Sequence, residues 1–358
     1  MNLRSEHIDL TPLGWSDWFE ERAECGPDES IARVAAVDRE ALLLLDQAGT
    51  LRARLAGGYL YRHQRSQELP CVGDWVCVER RPTGELGLVH GLLERRTALR
   101  RRSAGESVDV QMIAANVDTV MIVQSCHFDF NIKRLERYLV MVRDGGADAT
   151  VLLTKTDLVE PEVLASQMEE IRAAGIKAPL LTLSNVTQEG IDELKRMLQP
   201  AKTYCFVGSS GVGKSTIINR LIGREMRQTE GVSGTGEGKH TTVRRELILL
   251  EGGALVIDNP GMREFGILGA ESGIDQSFSD IVGLASGCRF KDCTHTNEPG
   301  CAVLAAVNSG GISLVHYDNF IKLRKESEFY QMSYAEKRKK DRDFGKFINS
   351  VKKDLKKW

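Results

Sequence analysis

Eight consecutive residues, Gly208-Ser209-Ser210-Gly211-Val212-Gly213-Lys214-Ser215, fit the pattern G-x-x-x-x-G-K-[ST] and carry the chemistry of phosphate binding. They follow the apolar run Tyr204–Val207 and open a helical pattern, which is the strand, loop and helix context the motif requires. Glycine lets backbone N–H groups wrap around phosphate oxygens, and the N-terminus of the following helix adds the positive end of its dipole. Lys214 is placed to neutralise β- and γ-phosphates and Ser215 to ligate Mg²⁺, with Thr216 beside it in the same turn. The pattern predicts a nucleoside triphosphate ligand.

Three further motifs complete a site of this kind. The apolar run Ala254–Ile257 ends in Asp258-Asn-Pro-Gly261, a D-x-x-G located 43 residues after Ser215. There an Asp holds Mg²⁺ through water and the Gly261 N–H meets the γ-phosphate, so that loss of the phosphate frees the loop. Between the two lies the glycine-rich segment Gly231–Thr242, which reads as a mobile loop. Thr241 or Thr242 would complete the Mg²⁺ shell, and Thr241 is taken as the ligand. Thr154-Lys155-Thr156-Asp157 ends another apolar run as [NT]-K-x-D. Its Asp carboxylate can accept N1–H and N2–H₂ of guanine, a pair adenine lacks, while the Lys155 stem lies along the base. Ser184-Asn185, after the next run, could place a backbone N–H near the guanine O6.

The order of these motifs is unusual, because the base-recognition elements at Thr154–Asp157 and Ser184 precede the phosphate loop. A parallel sheet keeps its contacts when the old ends are joined and the chain is cut elsewhere, since loop closure costs little relative to core burial. The pattern predicts a circularly permuted P-loop GTPase whose D-x-x-G feeds directly into the C-terminal segment. Met262 follows that motif and cannot orient water, which predicts slow intrinsic hydrolysis; His240, beside the switch threonines, is the candidate to position the nucleophile. Lys214, His240 and Thr241 are therefore the expected catalytic residues. Gly211 lacks the Asn side chain of K⁺-activated GTPases, so no K⁺ dependence is expected.

A second constellation, Cys288-x4-Cys293-x-His295-x5-Cys301, puts three thiolates and an imidazole within 14 positions. Four such ligands suit one tetrahedral, structural Zn²⁺. The other cysteines, Cys25, Cys71, Cys77, Cys126 and Cys205, stand in apolar sequence and read as buried filler thiols.

These groups need elements to position them. The 358 residues suffice for two or three domains, and we divide them into an arm (1–30), a barrel (31–102), a GTPase domain (103–268) and a zinc-binding domain with a basic tail (269–358). Short β-leaning segments from Ile31 to Leu92 suggest a small oligonucleotide-binding barrel. From Thr119 onward, buried strands alternate with helices, which implies a parallel sheet covered on both faces. Arg95, Arg96 and Arg100–Arg102 lie at the boundary and read either as phosphate contacts or as a solvated linker. The net charge of −2 conceals an asymmetry: Lys322–Trp358 carries 13 Lys/Arg against six Asp/Glu, which suggests an anionic partner such as RNA. Apolar runs such as Ala41–Leu45 fall far short of the roughly 18 residues of a membrane span, and no signal-peptide pattern opens the chain. The chain is expected to be a cytoplasmic monomer with no membrane partner.

Together the motifs resemble the ribosome small-subunit-dependent GTPase A family. The resemblance runs from Val72-Gly-Asp-Trp-Val76 in the barrel through Thr154–Asp157, Gly208–Ser215, Gly238-Lys-His-Thr-Thr242 and Asp258–Gly261 to the Cys₃His cluster. It implies a multi-domain α/β protein: an N-terminal OB-type β-barrel, a circularly permuted GTPase core and a C-terminal, mainly helical zinc domain. It also implies late small-subunit assembly, with the subunit and its rRNA as partners, hydrolysis of GTP to GDP stimulated by the subunit, and release afterwards. Thr154, Asn185 and Lys239 depart from the commonest residues Asn, Ala and Arg, which bears on guanine affinity. A P-loop ATPase or kinase, and an RNA-binding protein using nucleotide only as a structural ligand, are the alternatives from other classes.

Overall fold

A computed structural model describes residues 9–39, 41–81, 86–102, 110–223, 245–259, 270–331 and 342. The chain forms two compact units, Met1–Gly266 and Ile267–Trp358. The first begins with an arm whose one-turn helix α1 (Asp17–Glu20) buries Phe19 along with Leu10 and Leu13. Trp15 stands edge-on to Trp75 with ring centroids 4.8 Å apart. A disulfide joins Cys25 to Cys77, which corrects the reading of both as filler thiols.

Five strands then make a barrel: β1 (Glu29–Val37), β2 (Leu42–Asp46), β3 (Gly49–Leu55), β4 (Trp75–Glu79) and β5 (Gly87–Leu92), with helix α2 (Gly57–Arg62) after β3. Their order β1-β2-β3-β5-β4 closes through a β4–β1 pairing. Because strand side chains alternate between faces, Ala32, Val34, Leu42, Leu44, Ala53, Val76, Val78 and Val89 fill the interior. Ala35, Trp75 and Cys77 point the other way, into a core shared with the α/β layer.

An antiparallel pair, β6 (Ala98–Arg102) and β7 (Val110–Ala115), stands where a linker was one reading. The arginines there have partners within the protein. Arg95 is bidentate to Asp74 at 2.8 Å with only 13 % of its side chain exposed, and Arg96 meets Asp118 at 2.6 Å. Arg100 pairs with Asp144, and Arg101 with Gln111. For these four the structure replaces the solvated-linker reading with intramolecular pairing, closest to burial at Arg95.

The α/β layer follows: β8 (Thr119–Ser125), α3 (Ile132–Asp144), β9 (Asp148–Thr154), α4 (Pro161–Ala173), β10 (Leu180–Leu183), α5 (Ile191–Met197), β11 (Thr203–Val207), α6 (Lys214–Leu221), β12 (Glu246–Leu249) and β13 (Leu255–Asp258). The order is β10-β9-β8-β11-β13-β12, parallel from β10 to β13. β12 departs from the expected parallel sheet by running antiparallel to β13. The two are joined by a turn closed by the Gly253 N–H to Leu250 O bond, and parallel neighbours need a crossover of a dozen or more residues. The outer edge of β12 pairs with β1 at Ala36–Glu246, so barrel and layer share one eleven-stranded sheet.

Arg33, on the outer face of β1, ties this unit together. Its guanidinium is 1 % exposed and donates to the carbonyls of Leu13, Gly73 and Asn116 and to the Thr203 hydroxyl, beneath the Trp75 ring. Burial pushes its pKa down to about 10, opposed by the charge of Asp118. The second unit holds α7 (Glu271–Ser277), α8 (Ser279–Ala285), α9 (Ala302–Asn308) and α10 (Leu314–Gln331) around Ile274, Phe278, Ile281, Val303, Phe320 and Leu323. No helix among the described residues is long and apolar enough to cross a membrane.

Arg33→Met should strand several buried acceptors at once and destabilise the first unit by about 3–5 kcal/mol, read as a lower urea midpoint; a loss below about 1 kcal/mol would mean that these oxygens find other partners.

Candidate functional site

The loops that carry the motifs gather at the carboxyl ends of β8, β9, β10, β11 and β13. The chain runs outward from β8 to β9 and β10, and in the other direction from β11 to β13 and β12. A crevice at such a reversal is where open α/β sheets take ligands.

After β11 the chain must pass close to β8. A Cβ on Gly208 would lie 2.2 Å from the Val123 carbonyl oxygen, and its φ is +146°; only glycine fits. Gly213, at φ +99°, is the N-cap of α6. Lys214 is buried, its Nζ donating to the Gly208 carbonyl at 2.8 Å and the Ser209 carbonyl at 2.5 Å. An ammonium has three protons, so two aim the group and one remains for a ligand. Burial pushes its pKa down while Asp129 and Asp258 pull it back up. Burial pushes the Asp258 carboxyl up, opposed by Lys214. Ser210, Gly211 and Ser215 are exposed around this cradle, with Thr216 half-buried and Val212 buried beneath it.

The remaining loops are cross-linked to the cradle. The Thr154 hydroxyl lies 2.7 Å from the Val212 carbonyl, so threonine in place of asparagine still ties the β9 loop to the phosphate loop. Ser184 Oγ donates to Asp157 Oδ1 at 2.5 Å and accepts the N–H groups of Val186 and Thr187, which fixes the carboxylate from the neighbouring strand. Lys155 adopts φ +62°, and its Nζ lies 4.6 Å from the Phe128 ring. The Asn185 amide donates to the Gly213 carbonyl at 3.4 Å, and Arg220 holds the Asn185 carbonyl. At the end of β13 the Asn259 amide donates to Cys205 Sγ. Thr156 Oγ1, Asn185 Oδ1 and Asn259 Oδ1 are buried without a partner among the described residues.

The expected site residues His240, Thr241 and Gly261, with the alternative Thr242, lie outside the described residues, as does the basic tail beyond residue 331 apart from Arg342. The structure adds Asp129 and Arg134, which no motif marks; Arg134 Nη1 is 2.5 Å from Ser209 Oγ. Their sequence signal was positional, since they follow the strand beside the phosphate-loop strand.

In the second unit, the sulfurs of Cys288, Cys293 and Cys301 and a ring nitrogen of His295 all lie within 4.8 Å of one another. His295 Nδ1 is 3.6 Å from Cys288 Sγ and 3.5 Å from Cys301 Sγ, and the two sulfurs are 3.8 Å apart. Edges of a zinc tetrahedron with ordinary bond lengths are about 3.6 Å for S···N and about 3.8 Å for S···S, so the group fits that ion. The Tyr317 hydroxyl bonds the His295 carbonyl at 2.6 Å, and Leu304 N–H donates to Cys301 Sγ at the start of α9.

A phosphate loop after β11, with base-side loops on strands that precede it in the chain, defines a circularly permuted P-loop GTPase. The RsgA GTPase family model matches residues 92–268. Small ribosomal subunit biogenesis GTPase RsgA of Opitutus terrae is 40 % identical over 332 residues, covering 89 % of this chain and 90 % of that protein. RsgA 2 of Listeria monocytogenes is 40 % identical over 322 residues, covering 90 % of each. Of solved structures, YjeQ from Thermotoga maritima aligns with a TM-score of 0.62 at 25 % identity, covering 84 % of this chain and 98 % of that one. YloQ, a circularly permuted GTPase, aligns with a TM-score of 0.61 at 23 % identity, covering 87 % and 100 %. The chain belongs to the RsgA GTPase family and is a GTP-hydrolysing enzyme.

Thr154→Val removes the hydroxyl that joins the β9 loop to Val212, and guanine-nucleotide affinity measured by calorimetry should fall about tenfold; unchanged affinity would show that the two loops are held in register by other means.

Proposed function

We propose that this GTPase acts in biogenesis of the small ribosomal subunit, hydrolysing GTP to GDP when engaged by the subunit and releasing it afterwards. The observation that carries this reading is the similarity to relatives named for that role over 89 % and 90 % of this chain, supported by a Lys214 ammonium aimed by two carbonyls, its third proton without a partner among the described residues.

In this reading Gly208–Thr216 cradle the phosphates, and Lys214 supplies charge to the β- and γ-oxygens where negative charge develops. Ser215 would ligate Mg²⁺, with Asp258 acting through water and Thr241 from the switch, and the ion when bound would supply positive charge against the phosphates. Asp157, held by Ser184, accepts the two guanine N–H donors, the Lys155 stem lies along the base, and Thr154 keeps this loop in register with Val212. Ser184 and Asn185 offer backbone N–H groups toward the guanine O6. Gly261 meets the γ-phosphate, and His240 orients the attacking water that Met262 cannot. Cys288, Cys293, His295 and Cys301 would hold one structural zinc ion. The protein works as a cytoplasmic monomer, and its partners are the subunit and its rRNA, with the basic tail a candidate contact.

Turnover of GTP and ATP, each with and without purified small subunits, tests the central point. Slow GTP hydrolysis should rise at least tenfold with subunits while ATP stays inert; equal rates with and without subunits would overturn the reading. Metal analysis should find one zinc per chain, with Cys293→Ser losing it and lowering the thermal midpoint of the second unit; unchanged zinc content in that variant would remove Cys293 from the ligand set.

A further inference from the structure

The loop after β8 and the first turn of α3 carry a charged pair with no role in the reading above. Arg134 Nη1 meets both Ser209 Oγ, at 2.5 Å, and Asp129 Oδ1. The Arg134 N–H donates to the Asn131 side chain at the α3 N-cap, which fixes the base of the side chain. The Asp129 side chain is 10 % exposed, and its second oxygen, Oδ2, is buried without a hydrogen-bond partner among the described residues. Asp129 also acts on Lys214 through space, favouring its charged form.

We propose that Arg134 is a positioning residue for the phosphate-binding lysine. By gripping the Ser209 side chain it holds in place the Ser209 carbonyl which, together with that of Gly208, aims Lys214. This rests on the assignment of Gly208–Ser215 as the phosphate loop. Three of the eight loop residues are glycines, at positions 208, 211 and 213, all at positive φ. Such a backbone gains stiffness only from cross-links. Thr154 supplies one link, at Val212, and Arg134 supplies another, at Ser209. Ordering an otherwise free backbone residue costs conformational entropy, so a loop that loses this link orders at the expense of ligand binding. A charged donor makes a stronger link than a neutral one. Asp129 completes the device by pairing with the guanidinium, which keeps Arg134 directed at Ser209 and leaves the phosphates to Lys214.

The test uses the full-length protein and fluorescent GDP and a non-hydrolysable GTP analogue, with thermal midpoints measured on the same samples. Arg134→Gln and Ser209→Ala should each weaken nucleotide binding about 5- to 20-fold. The double variant should be no weaker than the worse single variant, because both cut the same link. Arg134→Lys, which keeps a charged donor, should recover part of the loss. Wild-type affinity in Arg134→Gln, whatever its thermal midpoint, would overturn the proposal, and so would losses that multiply in the double variant. Lys214→Ala separates this from the underlying assignment. If it abolishes binding while Arg134→Gln binds normally, only the positioning role falls; if it binds nucleotide as the wild type does, the phosphate-loop assignment itself falls.

Discussion

A buried guanidinium is the constraint around which the first unit is assembled. Arg33 is taken out of water, and its solvation is replaced by three backbone carbonyls and a hydroxyl, with no carboxylate in contact among the described residues. Leaving such a charge unsatisfied would cost several kcal/mol, so the cation forms its cage only when the arm, the barrel and the α/β layer are all in place. Leu13 comes from the arm, Gly73 from the barrel, and Asn116 and Thr203 from the layer. The Trp75 ring covers the cation, and the arm's aromatic residues cover Trp75 in turn. The same site is thus a hydrophobic joint and a polar one.

The nucleotide end of the sheet follows a related logic at smaller scale. A glycine-rich backbone can approach phosphates closely, but it gains no rigidity from its own side chains. Rigidity comes from outside the loop: Thr154 at Val212, Asn185 at Gly213, and Arg134 at Ser209. Charge is arranged in the same way. Burial pushes the Lys214 pKa down, and the fields of Asp129 and Asp258 act against that shift and favour the charged form.

What was legible in the sequence was what is local. The phosphate loop, Thr154–Asp157, Ser184 and the Cys₃His spacing are short patterns whose geometry is set by neighbouring residues, and most strands could be read from their apolar runs. Interactions between distant parts of the chain were not legible. Nothing near Arg33 announces partners 20 to 170 positions away, and Arg95–Arg101 look like a solvated basic stretch until Asp74, Asp118 and Asp144 are brought beside them. The aromatic residues Trp15, Trp18 and Phe19 similarly make the arm part of the core, although its prolines and glycines suggest irregular chain. The antiparallel course of β12 was within reach, since five residues between two strands leave no room for a crossover.

The single strand pair joining barrel to layer has a geometric consequence. Asp258 lies directly across from Glu246, and Glu246 lies directly across from Ala36 of the barrel. The residue at the lip of the nucleotide crevice and the barrel wall are therefore two ladder rungs apart. One register pair, Ala36 with Glu246, forms this seam among the described residues, and the core shared by Ala35, Trp75 and Cys77 with the layer packs beside it. Crevice rim and barrel wall thus belong to one continuous fabric of main chain, and the spacing between them is set by backbone geometry rather than by side-chain packing alone.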